Sequence, residues 1–263
     1  MKRNIIIGLL SLITMPLSSC GVHTNTYPDA DKYVAGNVMM HDVNITSLDI
    51  DWISGTLTLI EDDSIGGVEI EEDTDATKEQ ELVHSYLNNG KLNIKFCASG
   101  YTFNRTFGIK KNLKVKYCPG LNDININLTS GKASAETLTA KKIDLDMTSG
   151  SISVNTFKAQ DVDVDFTSGD IVINHLTASN FNSDSTSGSI KVGFDDISKA
   201  SFDLTSGNVD MTLPSEGGKV KVDKTSGKVN AIRDCSVNKN TYTFGEGTAE
   251  ISVSMTSGKI TIR

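Results

Sequence analysis

Aspartates that recur at a fixed spacing are the residues of this chain with the clearest chemistry. Four follow one another at equal intervals along the chain, and a fifth follows after nearly the same interval. If each interval is one turn of a coil, the carboxylates stack in a column with neighbours about 5 Å apart. At that distance neighbouring carboxylates repel by roughly 0.8–3 kcal/mol, and Ca²⁺ prefers such oxygen ligands. The column consists of Asp146, Asp165, Asp184, Asp203 and Asp223.

This aspartate column permits two interpretations. Either cations bridge adjacent carboxylates, or the column is a solvated acidic face that discourages edge-to-edge aggregation. The glycine-rich GGxGxD repeat of calcium-binding β-rolls is absent from the sequence, which favours the solvated face. No CxxC motif or Cys/His cluster indicates zinc. We therefore predict no metal and no cofactor, with the cation ladder as the alternative.

Each of these aspartates stands two residues before a Thr-Ser-Gly tripeptide. Apolar and polar residues alternate on both sides of the tripeptide, which is typical of strands with one face inward. A further apolar residue follows eight or nine positions after most of the threonines and predicts a third short side. The tripeptides begin at Thr129, Thr148, Thr167, Thr186, Thr205, Thr225 and Thr256.

A period of about 19 residues with this alternation predicts an all-β fold, a parallel β-solenoid (β-helix) over residues 119–263. Glycine turns each corner because it adopts positive φ without steric cost, so the tripeptide is a structural corner. The longer gap between Thr225 and Thr256 predicts an extra hairpin or long loop. We expect the last strand, Ile260–Ile262, to be an unpaired edge, and hence self-association through the C-terminal end.

The preceding residues 36–118 are predicted to form an irregular N-terminal β-region. One degenerate repeat, LDIDWISGTLTL at 48–59, retains the Ser-Gly pair, whereas 61–118 does not follow the repeat. Cys97 and Cys118 end two similar strand-like runs. If these runs form an antiparallel hairpin, the cysteines lie too far apart to bridge, so a disulfide between them is not favoured. The pairing state of Cys97, Cys118 and Cys235 stays open.

The first residues have the features of an export signal. The chain begins with a basic segment, which is followed by the apolar run IIIGLLSLITMPL and then by LSSC before Gly21. Leu17-Ser18-Ser19-Cys20 resembles the bacterial lipobox, which implies removal of residues 1–19, a lipid on Cys20 and a tether over 20–35. An ordinary secretory signal is the alternative. We expect an exported protein, anchored in the bacterial cell envelope at the outer membrane or cell surface.

Charge and motif content exclude several classes of function. The net charge of −8 repels nucleic acid, so we expect no nucleic-acid partner. GxSxG, HExxH, P-loop and GxGxxG motifs are missing, and the four histidines are scattered. Equal spacings between the repeats leave no room for the long loops that form a catalytic cleft. We predict no catalytic residue and no enzyme; a carbohydrate-active β-helix enzyme is the least favoured alternative.

The repeat itself resembles a known family. The pattern apolar-Asp-apolar-Asp-apolar-Thr-Ser-Gly, preceded by a Ser-Gly repeat and an irregular acidic segment, is similar to the bacterial adhesin-like β-strand-repeat domains of unknown function. The resemblance covers about 36–263 and implies a β-solenoid and a cell-envelope location. The expected function is a non-catalytic binding or adhesin-like module for a glycan or an envelope protein. A structural or assembly-accessory lipoprotein is the alternative.

Overall fold

A computed structural model describes residues 26–102 and 108–263, and these form an all-β solenoid. Short 3-10 turns lie at Ala30–Lys32 and Glu79–Glu81. The strands are β1 (Val34–Ala35), β2 (Val38–His41), β3 (Ser47–Trp52), β4 (Thr56–Glu61), β5 (Gly67–Thr74), β6 (His84–Asn88), β7 (Lys91–Lys95), β8 (Lys111–Tyr117), β9 (Leu121–Leu128), β10 (Lys132–Met147), β11 (Ser151–Lys158), β12 (Asp161–Phe166), β13 (Asp170–Ser185), β14 (Ser189–Thr212), β15 (Gly217–Lys224), β16 (Lys228–Ala231), β17 (Ser236–Asn238), β18 (Thr241–Gly245) and β19 (Ala249–Ile262).

The strands form two stacked sheets, and successive segments of the chain belong to the two sheets in turn. The first sheet holds the strands before each corner, in the order β1-β6-β7-β3-β9-β10-β12-β13-β14-β19-β15-β18-β17. The second sheet holds those after it, in the order β2-β5-β8-β4-β10-β11-β13-β14-β19-β16. Strands β10, β13, β14 and β19 are long because each runs through both sheets. The predicted parallel β-solenoid is confirmed.

The core is a thin stack of aligned side chains. Residues three and five positions before each corner threonine point inward, so that Ile143 lies in register with Ile124 and Val162. All three are buried because the alternation of each strand matches that of its neighbours. The predicted third side is also part of the core, since its apolar residues are buried: Leu138, Phe157, Leu176, Phe194 and Leu213.

The region 61–118 contains a coil that the sequence interpretation missed. Strands β7 and β8 pair in parallel with β3 and β4, and place Leu92 beside Leu48 and Leu113 beside Leu57. The repeat was obscured because residues 96–110 separate β7 from β8 in the sequence, whereas three residues separate the strands at a regular corner such as that between β12 and β13. The antiparallel hairpin considered for the two cysteine-ending runs is wrong, because β7 and β8 belong to different sheets. Cys97, Cys118 and Cys235 are free thiols.

The C-terminal strand is not the open edge that we expected. β19 lies between β14 and the pair β15–β16, with Thr261 in register with both Asp210 and Asn230. Ile260 and Ile262 are therefore fully buried. The chain first builds the end coil β15–β16, then the predicted hairpin β17–β18, and returns into the stack. This removes the physical reason for self-association through residues 260–262.

Both ends of the solenoid are covered by antiparallel strands. β5 and β6 cover β8 and β7 at the N-terminal end, and β18 covers β15 at the other end. The outermost strands β1, β2, β16 and β17 are all short, and short edges limit pairing with other chains.

The structure describes only some of the residues to which the N-terminal predictions apply. The signal peptide 1–19 and the lipidation residue Cys20 lie outside the described residues. Of the predicted tether 20–35, residues 26–35 pack against the fold through Tyr27 and β1 instead of hanging free. Among the residues that the structure describes, no helix is long and apolar enough to cross a membrane.

Candidate functional site: an acidic groove along the solenoid

The corners that position the site depend on glycine. Gly150 and Gly169 have φ values of 116° and 117°, in the region that side chains rarely adopt. A Cβ atom on Gly169 would also overlap the carbonyl oxygen of Gly150, one coil away. Glycine is therefore required at each corner for two reasons: it adopts the positive φ, and it permits the close approach of neighbouring coils.

The corner serines link successive coils. Ser149 Oγ donates a hydrogen bond to the carbonyl oxygen of Thr129 at 3.2 Å, and the backbone N–H of Ser149 donates to the same oxygen at 3.0 Å. Ser168 repeats both bonds to Thr148. The repeated hydroxyls are thus used in the fold, as the predicted structural corner requires, and are not a row of free nucleophiles.

The threonines and the aspartate column line one continuous groove, which we call the acidic groove. In the coils of Asp146, Asp165 and Asp203 the aspartate and the threonine point outward, and the residue between them (Met147, Phe166 or Leu204) is buried. The two columns are about 7 Å apart along each strand. The groove encloses about 1110 Å³ and extends over seven coils, about 30 Å at the strand spacing of a sheet.

The order of the aspartate column differs from the sequence order. Asp146, Asp165, Asp184 and Asp203 follow one another in register. The next position holds Ser254, because β19 inserts there, and Asp223 lies one coil further on. The prediction of five consecutive aspartates is therefore wrong; four are consecutive, and one is separated from them.

These four aspartates have no partner of opposite charge. Among the described residues, no side chain forms an ion pair or hydrogen bond with Asp146, Asp165, Asp184 or Asp203. The flanking carboxylates are paired. Lys142 Nζ lies 2.9 Å from Asp144, whereas Asp223 has Lys221 at 3.2 Å. At the N-terminal end of the column the carboxylate of Asp51 pairs with Lys95. The acidic groove thus carries uncompensated charge in its middle.

Burial and neighbouring carboxylates make the aspartates of the column less acidic. Partial burial, and after it the Asp144 carboxylate, raises the pKa of Asp146. Partial burial also raises the pKa of Asp165, with repulsion from Asp184 as the second cause. The pKa of Asp184 is raised by burial and then by Asp203. All three shifts show that the native state holds these negative charges at a cost.

A single-ion metal site is not formed by these groups. Within residues 26–102 and 108–263, no three His, Cys, Asp or Glu side chains are placed to hold one ion. His175 contacts Asp195, with Nδ1 3.1 Å from the carboxylate, on the exposed surface. The bridging of neighbouring carboxylates by cations stays a prediction.

A second, smaller groove lies on the outer face of the second sheet and was missed from the sequence. Asn174 donates to Asn155 at 3.1 Å, and Asn155 donates to Glu136 at 2.6 Å. Glu61, whose pKa is raised by burial, lines the same groove of about 730 Å³. The equal spacing of Glu136, Asn155 and Asn174 along the chain was the signal that could have found this ladder.

The geometry defines a class of protein: a parallel β-solenoid with covered ends, Ser-Gly corners and a column of carboxylates on one face. Comparison with protein families is consistent with this class. The family model described as Toastrack DUF4097 matches residues 87–263, and the chain belongs to this family. The match begins in β6 and includes the whole regular array.

Solved structures with low sequence identity are also similar to the chain. A "putative adhesin" from Bacteroides fragilis is 13% identical, with a TM-score of 0.48, over 88% of this chain and 97% of that one. A "putative lipid binding protein" from Parabacteroides distasonis is 14% identical, with a TM-score of 0.46 and the same coverages. A "putative cell adhesion protein" from Clostridium sporogenes is 16% identical, with a TM-score of 0.40, over 88% and 99%. The comparison with curated proteins found no match.

Proposed function

We propose that this protein is an exported lipoprotein of the bacterial cell envelope whose solenoid is a non-catalytic, adhesin-like binding module. The observation that supports this function is the acidic groove. It presents unpaired carboxylates and threonine hydroxyls at a constant step of about 4.8 Å. A site of this kind recognises repetition in its ligand, because four consecutive coils offer the same pair of groups.

The shape and charge of the groove favour an extended glycan that carries amino groups. A straight groove of about 30 Å accommodates a polymer chain better than a compact molecule. The unpaired carboxylates of Asp165 and Asp184 can accept hydrogen bonds from ammonium groups, and such charge-assisted bonds are the strong ones. Threonine hydroxyls such as Thr167 both donate to and accept from sugar hydroxyls.

The same geometry supports binding without catalysis. Enzymes that cleave glycosidic bonds use two carboxyl groups whose environments give them different roles. In the acidic groove the carboxylates of Asp146, Asp165 and Asp184 repeat in equivalent positions, and their pKa values are shifted in the same direction. No pair is distinguished as acid and nucleophile, so we propose a ligand that is held and released unchanged.

Binding of two related polymers tests the ligand class. Calorimetric titration with chitosan hexamer, which carries ammonium groups, should give saturable binding that weakens with salt. The chitin hexamer has the same backbone with acetylated nitrogens and should bind at least tenfold more weakly. Equal affinity for both hexamers would remove the role given to the carboxylates, and cleavage products in the mixture would refute the non-catalytic assignment.

Lipid anchoring is tested separately at Cys20. Cells that produce the protein are labelled with palmitate, in the native form and as Cys20→Ala. Label should enter the native protein and be lost in the variant, which should be released from the membrane fraction. Label that persists in the variant would show that Cys20 is not the lipidated residue.

A structural or assembly-accessory role is the second candidate. Ile232 and Val237, which are 53% and 57% exposed, lie beside the C-terminal end of the solenoid. Exposed apolar side chains favour a protein contact there. A stable protein partner recovered from membranes with the native chain, and lost with Ile232→Asp, would support this role over glycan binding.

A further inference from the structure

The first described residues are held firmly against the N-terminal end of the solenoid. The backbone N–H of Tyr27 donates to Ser99 Oγ at 3.0 Å, and the Tyr27 hydroxyl donates to the carbonyl oxygen of Cys97 at 3.0 Å. The rings of Tyr27 and Tyr33 are 4.6 Å apart, and Tyr33 is 5.4 Å from Tyr86 on β6. Tyr27 is therefore held at a fixed point beside β6 and β7.

The distance from this point to Cys20 is limited by the covalent chain. Tyr27 is the seventh residue after Cys20, and a fully extended segment of that length spans at most about 25 Å. The first sheet runs from β1 to β17 through every coil of the described residues, a length of roughly 50–60 Å. A lipid on Cys20 thus holds the N-terminal end near the bilayer, while the C-terminal end can lie far from it.

The N-terminal end also carries apolar side chains that no part of the described chain covers. Val34 on β1 is 55% exposed and Met39 on β2 is 59% exposed. These strands are the outermost of the first and the second sheet, so both side chains lie at the end that faces the anchor. Tyr33 precedes Val34 in the chain and its ring lies near those of Tyr27 and Tyr86, and tyrosine is enriched where proteins meet the membrane interface.

We propose that this end of the solenoid docks on the phospholipid bilayer that holds the Cys20 lipid, with Val34 and Met39 in contact with the lipid. The solenoid then stands end-on, and the acidic groove runs away from the membrane toward its ligand. The inference rests on the proposed lipid anchoring. A bilayer is the occupant that the short link between Cys20 and Tyr27 brings to this surface.

Photo-cross-linking in vesicles tests this end-on orientation on the bilayer. The lipidated full chain is reconstituted into phosphatidylcholine vesicles with p-benzoylphenylalanine at Met39 or, as a matched control, at Val237. The two positions have exposures of 59% and 57% but lie at opposite ends. Lipid adducts should form at position 39 at least tenfold more than at position 237, and Val34→Asp should lower the yield at position 39.

The outcomes separate the two proposals. Mass spectrometry of the N-terminal peptide reports whether Cys20 carries a lipid, independently of cross-linking. An unmodified Cys20 overturns the anchor and with it the docking. A lipidated Cys20 with equal adduct yields at positions 39 and 237 overturns the docking alone and leaves the anchor in place.

Discussion

Asp165 and Asp184 lie directly opposite each other on neighbouring parallel strands, and no cationic side chain of the described residues pairs with either. The pKa of each is raised by burial and by a neighbouring carboxylate. In the adjacent column an amide relieves the repulsion, since Asn182 donates to Asp163 at 2.9 Å. Under the proposed function, the uncompensated charges of Asp165 and Asp184 bind a cationic ligand.

The first prediction concerns pH. An aspartate whose native pKa exceeds its unfolded value of 3.8 binds protons more tightly when folded, so its repulsion lowers stability at neutral pH and is relieved as pH falls. Asp165→Asn/Asp184→Asn should therefore raise the melting midpoint at neutral pH by about 1–2 °C, since screening limits exposed charges to roughly 0.5 kcal/mol. The difference from the native protein should shrink as the pH is lowered toward the pKa of these aspartates. A midpoint that falls in the double variant would contradict the repulsion.

The second prediction concerns the corner glycines. Gly169→Ala should destabilise the protein by about 2–4 kcal/mol, because it combines an unfavourable φ with overlap onto the Gly150 carbonyl. Gly120→Ala is the matched control: its φ is 99°, and nothing lies within 4 Å of the added Cβ. Urea unfolding should give the control a loss of only about 1–2 kcal/mol. Equal losses would show that the approach of the coils is unimportant.

The third prediction concerns a polar residue in the core. Ser183 lies in the column of Val164 and Phe202, is 2% exposed, and its hydroxyl has no hydrogen-bond partner among the described residues. An unsatisfied buried hydroxyl costs about 1–3 kcal/mol. Ser183→Ala should therefore raise the free energy of unfolding by about 1 kcal/mol. A loss of stability in chemical denaturation would mean that the hydroxyl has a partner such as buried water.

The fourth prediction concerns a buried ion pair at the N-terminal end. Lys111 and Glu72 form an ion pair between fully buried side chains, and the Lys111 ammonium lies 4.7 Å from the ring centre of Phe96. Burial lowers the pKa of Lys111. Lys111→Met should cost about 3–5 kcal/mol because it leaves the buried Glu72 carboxylate without a counter-charge, with only the Val83 N–H among the described residues donating to it.

The double variant Lys111→Met/Glu72→Met separates charge from packing. Replacing both partners of a buried pair by apolar side chains is often neutral, so the double variant should recover most of the loss. The free energy of unfolding from urea titration measures both variants. If the double variant is as unstable as the single one, the pair contributes through its shape and not through its charge.

The sequence alone was sufficient to predict the fold of the regular array. The alternation around each tripeptide predicted strands with one face inward, and Ile143, Leu145 and Ile152 are buried as it requires. The spacing also placed Asp146 in a column of aspartates. These predictions succeed because equal repeats fold into equal coils. The degenerate coil around Trp52 was also recognisable, since its Ser54-Gly55 pair is retained.

The ends could not be predicted because order in space differs there from order in the chain. Nothing in the period of β19 indicates that it inserts between β14 and β15, so Ser254 was not expected between Asp203 and Asp223. Likewise the long sequence separation between β7 and β8 concealed the coil that these two strands form. Such insertions depend on long-range pairing, whereas a repeat pattern reports only local structure.

The claim that the aspartates of the acidic groove bind a cationic, extended glycan is tested most directly by calorimetry on one variant and its control. Asp146→Asn/Asp165→Asn/Asp184→Asn/Asp203→Asn removes the unpaired charges. The control removes four exposed charges elsewhere: Asp63→Asn, Asp196→Asn, Glu216→Gln and Glu246→Gln. Chitosan hexamer should bind the groove variant at least tenfold more weakly than the native protein, a loss of about 1.4 kcal/mol or more, and should bind the control within about twofold. Equal weakening in both variants, or none in the groove variant, would contradict the account.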